Sequence, residues 1–184
     1  MIFNTHSQLS GSHAFLSPSN YHWINYTDEK LDRAYVAALA ARRGTALHQL
    51  AHDMIRLGVK AQRTKQTFNM YVNDCIGFRM VTEQILFYSE FCYGQADAIS
   101  FRKNLLRISD LKTGVSPTSE HQLEVYAALF CLEYRYRPMD IQVELRIYQN
   151  DEVRVYEGDL DLITHIMDKI VTFDKRIRAI REEL

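Results

Sequence analysis

Residues 94–112, Gly-Gln-Ala-Asp-Ala-Ile-Ser-Phe-Arg-Lys-Asn-Leu-Leu-Arg-Ile-Ser-Asp-Leu-Lys, read as a β-hairpin with its charges gathered at one end. A turn centred on Lys103-Asn104 sets Phe101 opposite Leu106, Ile99 opposite Ile108 and Asp97 opposite Asp110. Strand side chains alternate with period two, so Lys112 shares a face with Asp110, Ile108 and Leu106. A slip of one residue would turn Asp97 away from Asp110 and set Ile99 against the polar face of Arg107 and Ser109; the apolar pattern selects the first register. Two neighbouring carboxylates repel and shift toward protonation unless a divalent cation with oxygen ligands sits between them. Such a cation activates water and polarises a phosphoryl oxygen. Lys112 adds a compact ammonium that orients the water or offsets developing negative charge. Asp97, Asp110 and Lys112 are therefore a working minimum for metal-dependent phosphodiester hydrolysis.

Downstream of the hairpin, Thr113-Gly114-Val115-Ser116-Pro117 reads as a turn, and Ser119-Glu120 opens a helix to about Glu133. Gln122 and Tyr126 stack on one face of it, and on the residues alone Tyr126 reads as half-buried core. Segments 141–147 and 153–156, joined by Gln149-Asn150-Asp151, read as a second strand pair completing a mixed sheet. The chain closes with a helix over 159–184, whose Ile163, Ile166, Ile170, Phe173, Ile177 and Ile180 recur at steps of three and four. That seam packs on the sheet or, alternatively, against another subunit, as a homo-oligomer or within a recombination complex.

Upstream, Thr27-Asp28-Glu29 begins a long Ala- and Leu-rich helix that ends near Leu57-Gly58. His48 and His52 lie on one face of it. A zinc-protease pattern would need Glu directly after the first His, where Gln49 stands. By itself a helical His is more often structural than a ligand. Helical signals resume over 68–76, and Ile85, Phe87 and Phe91 mark a strand through Glu90, which reads as a polar strand end or a further carboxylate near the metal. Between the helices, Lys60, Arg63 and Lys65 form a solvated loop or a phosphate-contacting one. Near the start, Ser17 and Pro18 read as cap and first position of a short helix through Trp23. Residues 1–14 are a flexible tail or an edge strand. The whole predicts one α/β domain, 1–184, with a central mixed β-sheet flanked by helices.

Taken together, Gly-x-x-Asp at Gly94–Asp97, Asp-x-Lys-Thr-Gly at Asp110–Gly114, Gln-x-x-x-Tyr at Gln122–Tyr126 and Gly-x-x-x-His at Gly44–His48 resemble the PD-(D/E)xK nuclease superfamily. Within it they are most similar to the RecB-like branch that includes the CRISPR-adaptation exonucleases. The resemblance spans roughly residues 17–157, and Ala96 stands where the family name has Pro. It implies a restriction-endonuclease-like core and a metal-dependent deoxyribonuclease, exonuclease or flap-type, acting on single- or double-stranded DNA ends in recombination, repair or phage DNA processing. It implies Mg²⁺ or Mn²⁺ held by His48, Asp97, Asp110 and the Leu111 carbonyl, with Lys112 positioning the attacking water. Gln122 would orient the scissile phosphate or water, and Tyr126 would support Lys112 or the DNA backbone. His52 stays structural. Ser17 and Ser19 would lie near substrate, where a helix start suits phosphate; the alternative is a plain cap. Some relatives carry a four-cysteine iron-sulfur cluster, but Cys75, Cys92 and Cys131 are too few, so a cluster-free member is expected, with these as reduced core thiols.

With 184 residues and 47% hydrophobic content, the chain can bury a sizeable core. A net charge of -1 offers no general attraction to nucleic acid, so DNA binding would rest on local basic patches and be salt-sensitive. No apolar run approaches a membrane span and no signal-peptide pattern opens the chain, so a cytoplasmic protein of a bacterium or phage-infected host is expected. A catalytically weak DNA-binding or assembly subunit of a larger recombination or defence complex is the alternative, and RNA is the alternative substrate.

Overall fold

The computed structural model describes residues 14–115 and 118–183. The tail expected over Met1–Gly11, and Ser116 and Pro117 of the turn, lie outside them. Contacts divide the chain into two compact units, 1–45 and 46–184. In the first, Pro18–Asn25 forms a 3₁₀ helix rather than an α-helix. Ser17 caps it, accepting from the Ser19 N–H at 3.3 Å, and the Trp23 indole donates to the Ser17 carbonyl at 3.0 Å. These closures are internal to eight residues, too short to propagate an α-helical ladder. Helix α1 (Asp28–Leu57) starts with two acids in its first turn. It stops where Gly58 takes φ +68° and Val59 N–H reaches back to the Met54 carbonyl at 2.8 Å.

In the second unit α2 (Thr67–Gly77) leads into β1 (Val81–Ser89), β2 (Cys92–Arg102) and β3 (Leu105–Leu111). Then come α3 (His121–Tyr134), β4 (Gln142–Gln149), β5 (Glu152–Glu157) and α4 (Leu160–Glu183). The strands form one mixed sheet in sequence order, antiparallel except for the parallel β3–β4 pair. A parallel neighbour requires a crossover, which α3 supplies. Both tight hairpins close through paired left-handed residues, Lys103-Asn104 and Asn150-Asp151, which match the twist of the flanking strands. The α2 start has no cap of its own; Asp151, from the β4–β5 turn, accepts the Thr67 N–H at 2.8 Å.

The β2–β3 register pairs Phe101 with Leu106 and Ile99 with Ile108, as the apolar pattern requires. Regular pairing stops at Ala98–Ser109, one step before Asp97 and Asp110, because Asp97 turns its carboxylate onto the Leu111 N–H at 2.9 Å. The reverse face is not a solvated polar one: Ser109 and Leu111 are buried with Tyr71, Val72 and Cys75 of α2. Leu106 and Ile108 join α3 and α4 on the other side. The first strand starts at Val81, and Phe91 belongs to the turn after it, held by its N–H to Ser89 Oγ at 3.1 Å. Of the α4 seam, Ile163, Ile166 and Ile170 pack into the sheet's core, while Phe173, Ile177 and Ile180 are exposed. No helix among the described residues is long and apolar enough to cross a membrane.

Candidate functional site

Three elements bring the site together. Asp97 lies mid-way along β2, Asp110 and Leu111 end β3, and His48 approaches from α1. The His48 Nδ1 stands 3.4 Å from Asp97 Oδ2. The same oxygen accepts the Leu111 N–H, so β3's end positions the β2 carboxylate. Lys112 is tied to the central strand by its own N–H to the Tyr148 carbonyl at 2.9 Å. Its ammonium lies 3.0 Å from Asp110 Oδ2 and donates to Gln122 Oε1 at 3.1 Å. Gln122 reaches Tyr126 at 3.4 Å, and the Tyr126 hydroxyl donates to the Gln95 carbonyl at 2.7 Å. The helix pair expected from its spacing of four thus spans from β2 to the lysine.

Glycine 94 explains part of the motif physically. A Cβ there would stand 2.9 Å from Tyr126 Cε1, so only a bare backbone lets the ring lie against β2. Beyond Lys112, Gln149 Nε2 donates to the Gly114 carbonyl at 2.6 Å and Arg154 donates to the Thr118 carbonyl at 3.2 Å. These contacts hold the segment leading to α3 from the strand side.

Electrostatics follow from burial and like charge. Asp110 is 4% exposed, and burial, then the charge of Asp97, raises its pKa above the ordinary carboxylate value against the pull of Lys112 and His48. The hydrogen bond to Asp97 raises the His48 pKa, opposed by burial and assisted by the charges of Asp97 and Asp110 and by the Leu111 backbone. Asp110 Oδ2 is buried without a hydrogen-bond donor: Lys112 approaches within ion-pair distance but off the hydrogen-bond direction. Such an acceptor deficit at a pair of carboxylates is what a bound cation would remove. Carboxylate oxygens, a backbone carbonyl and one imidazole are a donor set suited to Mg²⁺ or Mn²⁺. Among the described residues, however, no three His, Cys, Asp or Glu side chains gather tightly enough to hold a metal ion, since His48–Asp97 and Lys112–Asp110 close on each other. The donor chemistry fits the cation; the gathering would be completed on binding.

A cavity of about 250 Å³ opens beside Asp97 and His48, lined also by His52, Tyr71, Thr82, Glu83 and Gln95. His52 bonds Thr82 Oγ1 at 2.7 Å and lies 3.8 Å from Glu83. Thr82 and Glu83 escaped the sequence reading because their polar run, Val-Thr-Glu-Gln, hides the start of β1; the apolar signal begins only at Ile85. Glu90 is no part of this group, being paired with Arg181 at 2.8 Å. Ser17 and Ser19 belong to the first unit and bond each other at 2.6 Å. Lys60, Arg63 and Lys65 are exposed on the segment between α1 and α2, and no described contact joins them to Asp97 or Asp110. All three cysteines are free; burial pushes the Cys131 thiol up to about 11 and that of Cys75 further. Comparison with protein-family models, curated proteins and solved structures finds no match to this chain.

Proposed function

We propose that this chain is a divalent-metal-dependent DNA nuclease, acting as an exonuclease on DNA ends. The observation carrying the reading is the seating of Lys112 between Asp110 and Gln122, at a hairpin end where Asp97 and His48 also converge. His48, Asp97, Asp110 and the Leu111 carbonyl would hold Mg²⁺ or Mn²⁺, which when bound supplies Lewis-acid polarisation of a phosphoryl oxygen and a more acidic water. Lys112, fixed from two sides, holds a water or a phosphate oxygen at a set position beside Asp110. Gln122 keeps the ammonium in place and offers its amide to the scissile phosphate, and Tyr126 anchors Gln122 to β2. Lys60, Arg63 and Lys65 offer exposed cations for the backbone, whose contribution falls as salt rises.

One observation favours a second reading, a subunit that works inside a recombination or defence assembly. The exposed Phe173, Ile177 and Ile180 extend the α4 seam beyond what this chain covers. The test is cleavage of end-labelled single- and double-stranded DNA, with matched RNA, in Mg²⁺, Mn²⁺ or EDTA, using wild type beside Lys112→Ala and Asp110→Ala. Metal-dependent degradation lost at least a hundredfold in both variants is expected. Equal activity in the variants would refute these residues. Absent cleavage with Mn²⁺ still bound would favour the subunit reading, and RNA cleavage alone would overturn the DNA assignment.

A further inference from the structure

Glu83 is the only non-glycine residue with positive φ inside a strand among the described residues, at +54°; the others, Arg79, Lys103, Asn104, Arg135, Asn150 and Asp151, lie in turns or at a helix end. Left-handed backbone is costly for a glutamate, and such strain persists where the surrounding structure imposes it. Its place in the ladder is as telling. Thr82 pairs with Ala98 and Gln84 with Ala96, so Glu83 falls opposite Asp97, and regular pairing is interrupted there. Like charges directly across two strands destabilise a sheet. Helix α1 answers with two imidazoles one turn apart: His48 at Asp97 and His52 at Glu83, the latter ring steadied by Thr82. Both pairs line the same cavity. Independently, the nine-tenths-buried Asp110 has an oxygen with no hydrogen-bond donor, and its charge couples to Asp97 and His48.

We propose that Glu83 is a further cation-binding carboxylate of this site, with His52 as its positioning residue, so that a divalent cation relieves the opposition of Glu83 and Asp97. The inference rests on the reading of Asp97 and Asp110 as a cation site. A strained, like-charged pair facing a cavity is a poor stabiliser of the empty fold and a good receiver of a double positive charge. The strain and the repulsion are thus properties of the cation-free state. Mg²⁺ and Mn²⁺ commonly take only one or two carboxylates from protein and complete their shells with water and phosphate oxygens, so Glu83 need not complete a closed cage.

The experiment is calorimetry with Mn²⁺ alone, beside thermal unfolding with and without it, on the full chain. Wild type, Glu83→Gln, Glu83→Gly and Asp97→Asn are compared. Glu83→Gln is expected to weaken Mn²⁺ binding about tenfold or more, on the scale seen when a group supporting a metal is lost. Glu83→Gly, which admits positive φ freely, is expected to raise the metal-free Tm by about 2 °C or more while losing the same affinity. A purely structural Glu83 would give the reverse, a lower Tm with unchanged affinity, and would overturn the inference. Mn²⁺ affinity within twofold of wild type in Glu83→Gln, with binding lost in Asp97→Asn, would also overturn it and leave the nuclease reading standing. No Mn²⁺ binding by wild type would overturn both.

Discussion

Replacing Gly94 by Ala tests whether the fold places Tyr126, and through it Gln122 and Lys112. The added methyl would stand 2.9 Å from Tyr126 Cε1, against the roughly 3.5 Å or more of an ordinary carbon contact. Gly94 sits within a strand paired through Leu86, so the backbone cannot easily retreat and the ring must move by about half an ångström or more. That shift strains the hydroxyl's 2.7 Å bond to the Gln95 carbonyl. Overpacking costs about 1–3 kcal/mol, and a weakened hydrogen bond adds up to about 1 kcal/mol. We expect a loss of about 2 kcal/mol, read as a Tm lower by about 4–8 °C for a domain of this size. Urea unfolding of Gly94→Ala, Tyr126→Ala and the double variant measures the coupling. With the ring gone, Gly94→Ala should cost less than about 0.5 kcal/mol, the scale of ordinary surface changes. Nuclease activity should fall in Gly94→Ala together with stability of the Lys112 arrangement, with the metal affinity little changed. An equal cost for Gly94→Ala with and without the Tyr126 ring would refute the reasoning.

Gly158 is tighter still: a Cβ would meet Val143 Cγ1 at 2.7 Å and Cβ at 2.8 Å, so Gly158→Ala should destabilise by about 3 kcal/mol, since a buried β-branched neighbour has nowhere to go. Thermal unfolding within 2 °C of wild type would contradict this. The pH dependence of the metal-free protein follows from Asp110 and His48, both held protonated to higher pH by the fold than in the unfolded chain. The folded state therefore binds more protons, and the contribution of each to stability declines as pH rises: for Asp110 from its ordinary value of 3.8 upward, for His48 from 6.5 upward. Asp110→Asn should flatten the first decline and His48→Gln the second, measured by urea midpoints across pH. Unchanged slopes would contradict the assignment. Mn²⁺ should steepen its own stabilisation over the same range, because its ligands must lose their protons.

Much of the arrangement is local and was legible along the chain. Phe101, Ile99, Leu106 and Ile108 set the hairpin register, because period-two burial allows only one alignment around the Lys103-Asn104 turn. The same periodicity predicts Lys112 beside Asp110, and the spacing of four predicts Gln122 beside Tyr126; the observed separations of 3.0 and 3.4 Å follow from helix and strand repeats alone. Gly58 ending α1 and the turn at Asn150-Asp151 are likewise consequences of a residue's own backbone preferences.

What depends on distant partners could only be decided by the tertiary structure. Arg107 and Ser109 read as a solvated face, but α2 covers that side of β3 and buries Ser109 and Leu111. The regular stripe of α4 reads as one seam, yet packing splits it into a buried first half and an exposed second half, a division no period can encode. Glu83 illustrates the limit most clearly. Within Val-Thr-Glu-Gln it is an unremarked polar strand residue; only the β1–β2 register sets it opposite Asp97, and only the approach of α1 sets His52 beside it. Sequence specifies which side chains share a face of one element, because that depends on helix and strand repeats. Which faces meet depends on how elements far apart in the chain pack, and the cavity at Asp97 exists only at that level.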